Sequence, residues 1–221
     1  MNRLEIGNLL DTRYTLASGI FEGKKYAHEV LPQIKDFIVQ LSLTLDTEKF
    51  YDMGGGVFIA KSAKVAKSAN ITGPCIIDED AEIRHCAFIR GSVIVGKDAV
   101  VGNSTEVKNA ILFNKVQIPH YNYVGDSILG YKAHMGAGAI TSNVKSDKTN
   151  VSVTLGAKRY NTNLKKFGAI LGDCVEIGCG TVLNPGTVVG KNTNIYPLSM
   201  VRGYVEANSI YKNCGNVVRK N

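Results

Sequence analysis

Histidine is scarce in this 221-residue chain, four in all, and His120 stands in the segment IPHYNYVGD (118–126) beside Asn122 and Tyr123. An imidazole with a pKa near ~6.5 takes a proton from an attacking group at neutral pH, which makes His120 the candidate general base. The bland alternative is a hydrogen-bonded turn histidine, and it is the preferred reading for His28 and His85. Two cations form the second constellation. Arg90 and Lys108 lie eighteen residues apart. If the chain repeats at that interval they stack on one face, about 4.8 Å apart, where like charges repel and a shared anion such as phosphate relieves them. Two solvated surface charges are the alternative.

Other chemistry finds less support. Five cysteines, at positions 75, 86, 174, 179 and 214, contain no C-x2-C pair, so neither a disulfide framework nor a zinc knuckle is expected, and a reducing cytoplasm is. A metal-dependent hydrolytic site would need His85, His120 and His134 together; no metal is expected. The net charge of +7 suits a small anionic ligand. With no run of five like charges, no basic helix and no aromatic RNA-reading motif, nucleic acid is not an expected partner. No stretch approaches 18 apolar residues and the N-terminus has no signal pattern, so neither membrane insertion nor export is expected.

What must position these residues is a repeat. Stepping by six from Ile59 gives Val65, Ile71, Ile77, Ile83, Ile89, Val95, Val101 and Val107 without a miss, with small residues such as Ala63, Ala69, Cys75, Ala81, Ala87 and Ala99 four places on. A second block runs Leu171, Ile177, Leu183, Val189, Ile195, Val201, and Leu129 and Met135 share its phase, so the count slips between 113 and 129. Hexads of this kind make one short strand and one corner each, and three close a coil of eighteen around a stacked core. The expected fold is mainly β, a left-handed parallel β-helix over residues 53–211, and the 23 glycines and absent tryptophan suit its tight corners. Residues 1–52 lack the repeat; Val30, Leu31, Ile34, Phe37, Ile38 and Leu41 recur at helical spacing, predicting an α-helical leader of about two helices that caps the end of the stack. A loop insertion is expected at about 144–165, a tail at 212–221, and breaks in the coil at 118–126 and 143–166.

HYNYVGDSILG followed by GAGAITSN, at matching spacing, resembles the acetyltransferase half of the bifunctional glucosamine-1-phosphate acetyltransferase and N-acetylglucosamine-1-phosphate uridylyltransferase family, over residues 57–205. The chain resembles still more the archaeal and clostridial sugar-phosphate nucleotidylyltransferases with the same tail. The resemblance implies a catalytic base at His120 and a sugar-contacting Tyr123. It implies phosphate contacts from Arg90 and Lys108, with Asn143, and Lys166 of KFGAILGD, beside the substrate. The acetyl-CoA contacts it implies fall on Ala137, Asn143, Val144, Cys179 and Pro197. His134 stands where the family has a sugar-contacting asparagine and Cys179 where it has a serine; the loop after Asn143 is about 17 residues longer, and the C-terminal arm with its CoA-contacting arginine is missing or replaced by Arg202 or Arg219. No G-x-G-[ST]-R loop precedes the repeats, so no nucleotidyltransferase domain is expected. The implied function is acyl-CoA-dependent N-transfer to an amino-sugar phosphate or nucleotide-sugar, by a homotrimer. The alternative is a non-catalytic subunit that binds a sugar nucleotide or scaffolds a separate nucleotidyltransferase.

Overall fold

Each hexad forms a short strand and a tight corner, and residues eighteen apart pair in parallel: Cys75 with Val93, Glu82 with Val100, Asn70 with Phe88. A computed structural model, which describes residues 3–212 and 216–220, shows the resulting β-solenoid with three flanks. Cys214 and the ends of the expected tail at 213–215 and 221 lie outside the described residues. The first flank runs from Val57–Ala60 to Tyr204–Val205, the second from Lys64–Val65 to Ser209–Tyr211, and the third from Asn70–Ile71 to Met200–Val201. Ile77, Ile83, Ile89, Val95, Val101 and Val107 point inward and are at most 1% exposed. Each such burial is worth roughly 1.5–3 kcal/mol before the entropy of ordering the chain is counted. The corners use left-handed backbone at Asp80, Ser92, Asp98 and Ser104, small polar residues that tolerate it.

The slip in the hexad count is two single-residue deletions. Ile94 pairs with Ile111, and Ile111 with Ile128, at intervals of seventeen rather than eighteen. Both residues are lost at the corner between the third and first flanks, so Glu106–Leu112 and Tyr123–Leu129 run round it as continuous seven-residue strands. Segment 118–126 therefore does not break the stack as its sequence suggests, because Ile118 and Val124 remain fully buried in the core. The real insertion follows Ile140–Thr141. It is an antiparallel hairpin of Val151–Leu155 and Lys158–Leu164, after which Ile170 pairs with Ile128 and the coil resumes.

The leader holds the two expected helices, α1 (Ile6–Leu9) and α2 (Ile34–Ser42), joined by 3-10 turns. Its placement departs from expectation: it does not cover the end of the stack but lies along the first flank, with α2 against Cys75–Ile77, Val93–Val95 and the strand Glu106–Leu112. Further along, Phe21 meets Phe113 edge-on at 5.8 Å and Tyr14 stacks on Tyr131 at 3.9 Å. The cause is in the outward side chains of that flank, Ile76, Ile94, Ile111, Ile128 and Ile170, which are apolar and need cover; all are at most 1% exposed. Antiparallel strands guard the sheet edges instead, Phe50–Asp52 on Val57–Ala60 and Val217–Arg219 on Ser209–Tyr211.

Candidate active site

The third flank is bounded by two edges, and the predicted residues divide between them. At the edge shortened by the deletions, Asn109 and Asp126 become the corner residues, left-handed at φ 46 and 49. Their side chains meet: Asn109 Nδ2 donates to Asp126 Oδ1 at 2.9 Å and to the carbonyl of Leu31 in the leader at 3.3 Å. Asn143, one coil on, donates to Asp126 Oδ2 and, at 3.2 Å, to the Tyr123 hydroxyl. Lys108 Nζ lies 3.4 Å from Asp126 Oδ2. A carboxylate only 4% exposed thus gathers Lys108, Asn109 and Asn143, which compensates its burial. Burial also raises the Tyr123 phenol above its usual pKa, helped by the negative charge of Asp126. Asp126 and Asn109 were missed as functional candidates in the sequence. The signal was the lost hexad residue at each of their corners.

Arg90 does stack one rung from Lys108, its N–H donating to the Val107 carbonyl at 2.8 Å. Each cation, however, has its own carboxylate: Arg90 pairs with Glu106 at 2.6 Å and Lys108 with Asp126. The repulsion that suggested a shared external anion is met within the chain.

The opposite edge, between the second and third flanks, begins with His120 at the end of Gln117–His120. A Cβ at Gly102 would lie 1.6 Å from the Pro119 carbonyl oxygen, so only glycine permits the approach that sets this strand end. The His120 N–H donates to Asn122 Oδ1 at 3.1 Å, and its carbonyl accepts from Gly138 at 3.1 Å. Buried Asn122 in turn donates to the carbonyls of Gly136 and Ala139 at 2.8 and 3.0 Å. Between them Tyr121, an exposed bulky residue, is left-handed at φ 52. The exposed His120 ring has no hydrogen-bond partner among the described residues. Below it, Gly180 donates to the Ala137 carbonyl at 2.8 Å and Leu198 to that of Cys179 at 2.9 Å, so His120, Ala137, Cys179 and Pro197 follow one another along the edge. Cys179 is an exposed free thiol, whereas burial pushes Cys75 up to about 12.

Val144 follows Asn143 and is partly exposed. Exposed Lys166 precedes Phe167, whose N–H donates to the Asn143 carbonyl at 2.9 Å, which places it at the shortened edge. His134 is not brought to the third flank: it sits on the second, its Nδ1 2.8 Å from Glu176. His85 Nδ1 meets Ser68 Oγ at 2.5 Å, so His85, His120 and His134 do not converge, and the described residues hold no group of three metal-ligating side chains. No helix among them is long and apolar enough to cross a membrane.

Fold and site define the class: a hexapeptide-repeat β-solenoid whose third flank lies between two unlike edges. The chain belongs to the family described as the GMPPB C-terminal domain, whose model matches residues 71–206. It is 36% identical over 114 residues to the bifunctional protein GlmU of Methanococcus maripaludis, covering 51% of this chain and 28% of that protein. Over 105 residues it is 31% identical to the bifunctional sugar-1-phosphate nucleotidylyltransferase/acetyltransferase of Sulfurisphaera tokodaii, covering 48% and 26%. The chain thus spans about a quarter of the length of these relatives. Among solved structures, the N-acyltransferase AntD of Bacillus cereus, crystallised with dTDP and coenzyme A, is 18% identical with a TM-score of 0.27, covering 78% of this chain and 91% of that one.

Proposed function

We propose that the chain is an acyl-CoA-dependent N-transferase, with acetyl-CoA as donor and an amino-sugar phosphate such as glucosamine-1-phosphate, or a nucleotide-sugar, as acceptor. The observation that carries this reading is the unpartnered His120 imidazole at the head of an edge whose next turns present Ala137, Cys179 and Pro197. The Sulfurisphaera relative, whose name includes an acetyltransferase, supports it. His120 would accept the proton of the acceptor amine as its nitrogen attacks the thioester carbonyl. The C–N bond forms, the C–S bond breaks, and the proton passes to the departing thiolate. Arg90 and Lys108 would exchange their carboxylate partners for the acceptor phosphate, with Tyr123, Asn143 and Lys166 orienting the sugar. Val144 would join the donor contacts. His134, away from the third flank, would serve the site of a neighbouring copy in a homotrimer, and exposed Leu198 (85%) and Met200 (69%) supply apolar surface for that contact.

His120→Ala should lower acetyl transfer by roughly 10^2–10^4-fold while sugar-phosphate binding persists. Unchanged transfer overturns the assignment. A second reading, a non-catalytic solenoid, is favoured by one observation: the cations meant for phosphate are already paired with Glu106 and Asp126. Acetyl-CoA raises the melting temperature under the first reading and leaves it unchanged under the second.

A further inference from the structure

The insertion after Asn143 builds a second basic concavity that the acyl-transfer reading does not use. Between the hairpin and the C-terminal coils lies a cavity of about 370 Å³ lined by Lys145, Ser152, Thr154, Arg159, Pro185 and Arg202, with Asp147 as its one carboxylate among the described residues. Asp147 pairs with Lys145 at 3.1 Å. The two guanidiniums have only neutral partners there: Arg159 Nε donates to Ser152 Oγ at 2.6 Å and Arg202 to Asn184 Oδ1 at 3.4 Å. Three cations against one carboxylate leave a surplus of two positive charges in one small concavity.

The walls of this cavity are fixed with respect to each other. A Cβ at Gly203 would lie 2.8 Å from the Thr154 carbonyl oxygen, and one at Gly186 would lie 2.9 Å from that of Ser152. Both glycines are left-handed, at φ 76 and 79. Hairpin backbone is therefore laid directly on the coil corner that carries Pro185 and Arg202, and any side chain at those two positions would push it off.

Strand register places this cavity apart from the first cation pair. Val107 pairs with Val124, Tyr123 with Ile140, Thr141 with Leu183 and Leu183 with Val201, so Arg202 lies four rungs from Lys108. At about 4.8 Å per rung that is roughly 19 Å, too far for one phosphate to reach both. We infer that the cavity between the hairpin and the C-terminal coils binds a phosphate-bearing group, a phosphomonoester or diphosphate, gripped by Arg159, Arg202 and Lys145. Guanidinium forks match tetrahedral oxyanions, and the Ser152 and Thr154 hydroxyls complete the donor set. The enclosed volume suits a terminal group rather than a polyanion.

Isothermal titration with inorganic pyrophosphate tests this on the full chain, with Arg90→Gln in the background to weaken the other cation pair. One saturable event per chain is expected, weakened roughly tenfold or more when Arg159→Gln and Arg202→Gln are combined. Lys64→Gln, on the second flank, should change nothing. No uptake of pyrophosphate, or equal uptake by the combined variant shown by circular dichroism to be folded, overturns the inference. The source is read by competition. Displacement of pyrophosphate by coenzyme A identifies the nucleotide end of the acyl donor, and simultaneous binding identifies a separate phosphorylated ligand. None of these readouts requires turnover, so failure of the acyl-transfer reading leaves them intact.

Discussion

The two edges of the third flank are cut from the same coils yet are built in opposite ways. At one, Lys108, Asn109, Tyr123, Asp126 and Asn143 are bonded to each other, and the leader adds the Leu31 carbonyl. At the other, backbone contacts and the buried Asn122 amide hold the turns, and the His120 ring faces outward, unpartnered among the described residues. Both have the same inward core, so the difference comes from the corners. Removing one residue brings Asn109 and Asp126 into mutual contact, whereas the full-length corner lets Asn122 tie the backbone and leaves His120 outside. The first edge is a bonded scaffold; under the proposed function, the second presents the chemistry.

Asp126→Ala should break that contrast most sharply. It strands Lys108 and takes from the Asn109 and Asn143 amides the acceptor they share, leaving them only the Leu31 carbonyl and the Tyr123 hydroxyl, in a place where Asp126 is 4% exposed. Removing one partner of such a pair costs roughly 3–5 kcal/mol, a large share of the ~5–15 kcal/mol that holds a domain folded. Denaturant unfolding should show a fall of that order, with Asp126→Asn less harmful because one acceptor oxygen remains. A loss below about 1 kcal/mol would mean that the shortened edge behaves as a solvated surface and is no scaffold.

The opposite edge has a smaller counterpart in Asn122→Ala. Its side chain accepts from the His120 N–H and donates to the carbonyls of Gly136 and Ala139 on the next coil. Leaving these unsatisfied should cost about 1–3 kcal/mol, and under the proposed function acetyl transfer should fall as His120 loses its fixed placement. A stability loss larger than that of Asp126→Ala would reverse the roles of the two edges.

How much of this the sequence showed follows from what repeats. The inward aliphatics from Ile59 to Val107 have a period, so the solenoid was legible, and the eighteen-residue interval correctly stacked Arg90 on Lys108. Pairing across coils has no period. Glu106 and Asp126 as partners of those cations, and the ring of His134 turned to Glu176, depend on rotamers and register that spacing alone does not supply. The leader misled for a related reason. Its helical spacing was visible, but the flank it covers is marked only by the outward residues Ile76, Ile94, Ile111 and Ile128, which sit beside the inward set. Two single deletions looked like one ragged stretch until pairing separated them.

The smallest effect concerns what stands behind the scaffold edge, where the leader meets the foot of the insertion. His28 stacks on Phe167 at 5.7 Å and on Tyr26 at 5.7 Å, and Tyr26 meets Tyr160 of the hairpin edge-on at 6.3 Å. Burial lowers the His28 pKa below its ordinary value, opposed by the nearby Glu29 charge. The unfolded chain therefore binds the His28 proton more readily than the folded one. Its contribution to stability is complete above the unfolded value near ~6.5 and is lost as the pH falls through that value toward the depressed folded one. Melting temperatures recorded from pH 7.5 down to 5 should fall more steeply for the native chain than for His28→Gln, since glutamine takes up no proton. Parallel curves would show that the junction tolerates a charged imidazole, and that the leader stiffens the scaffold edge through Leu31 and Asn109 alone.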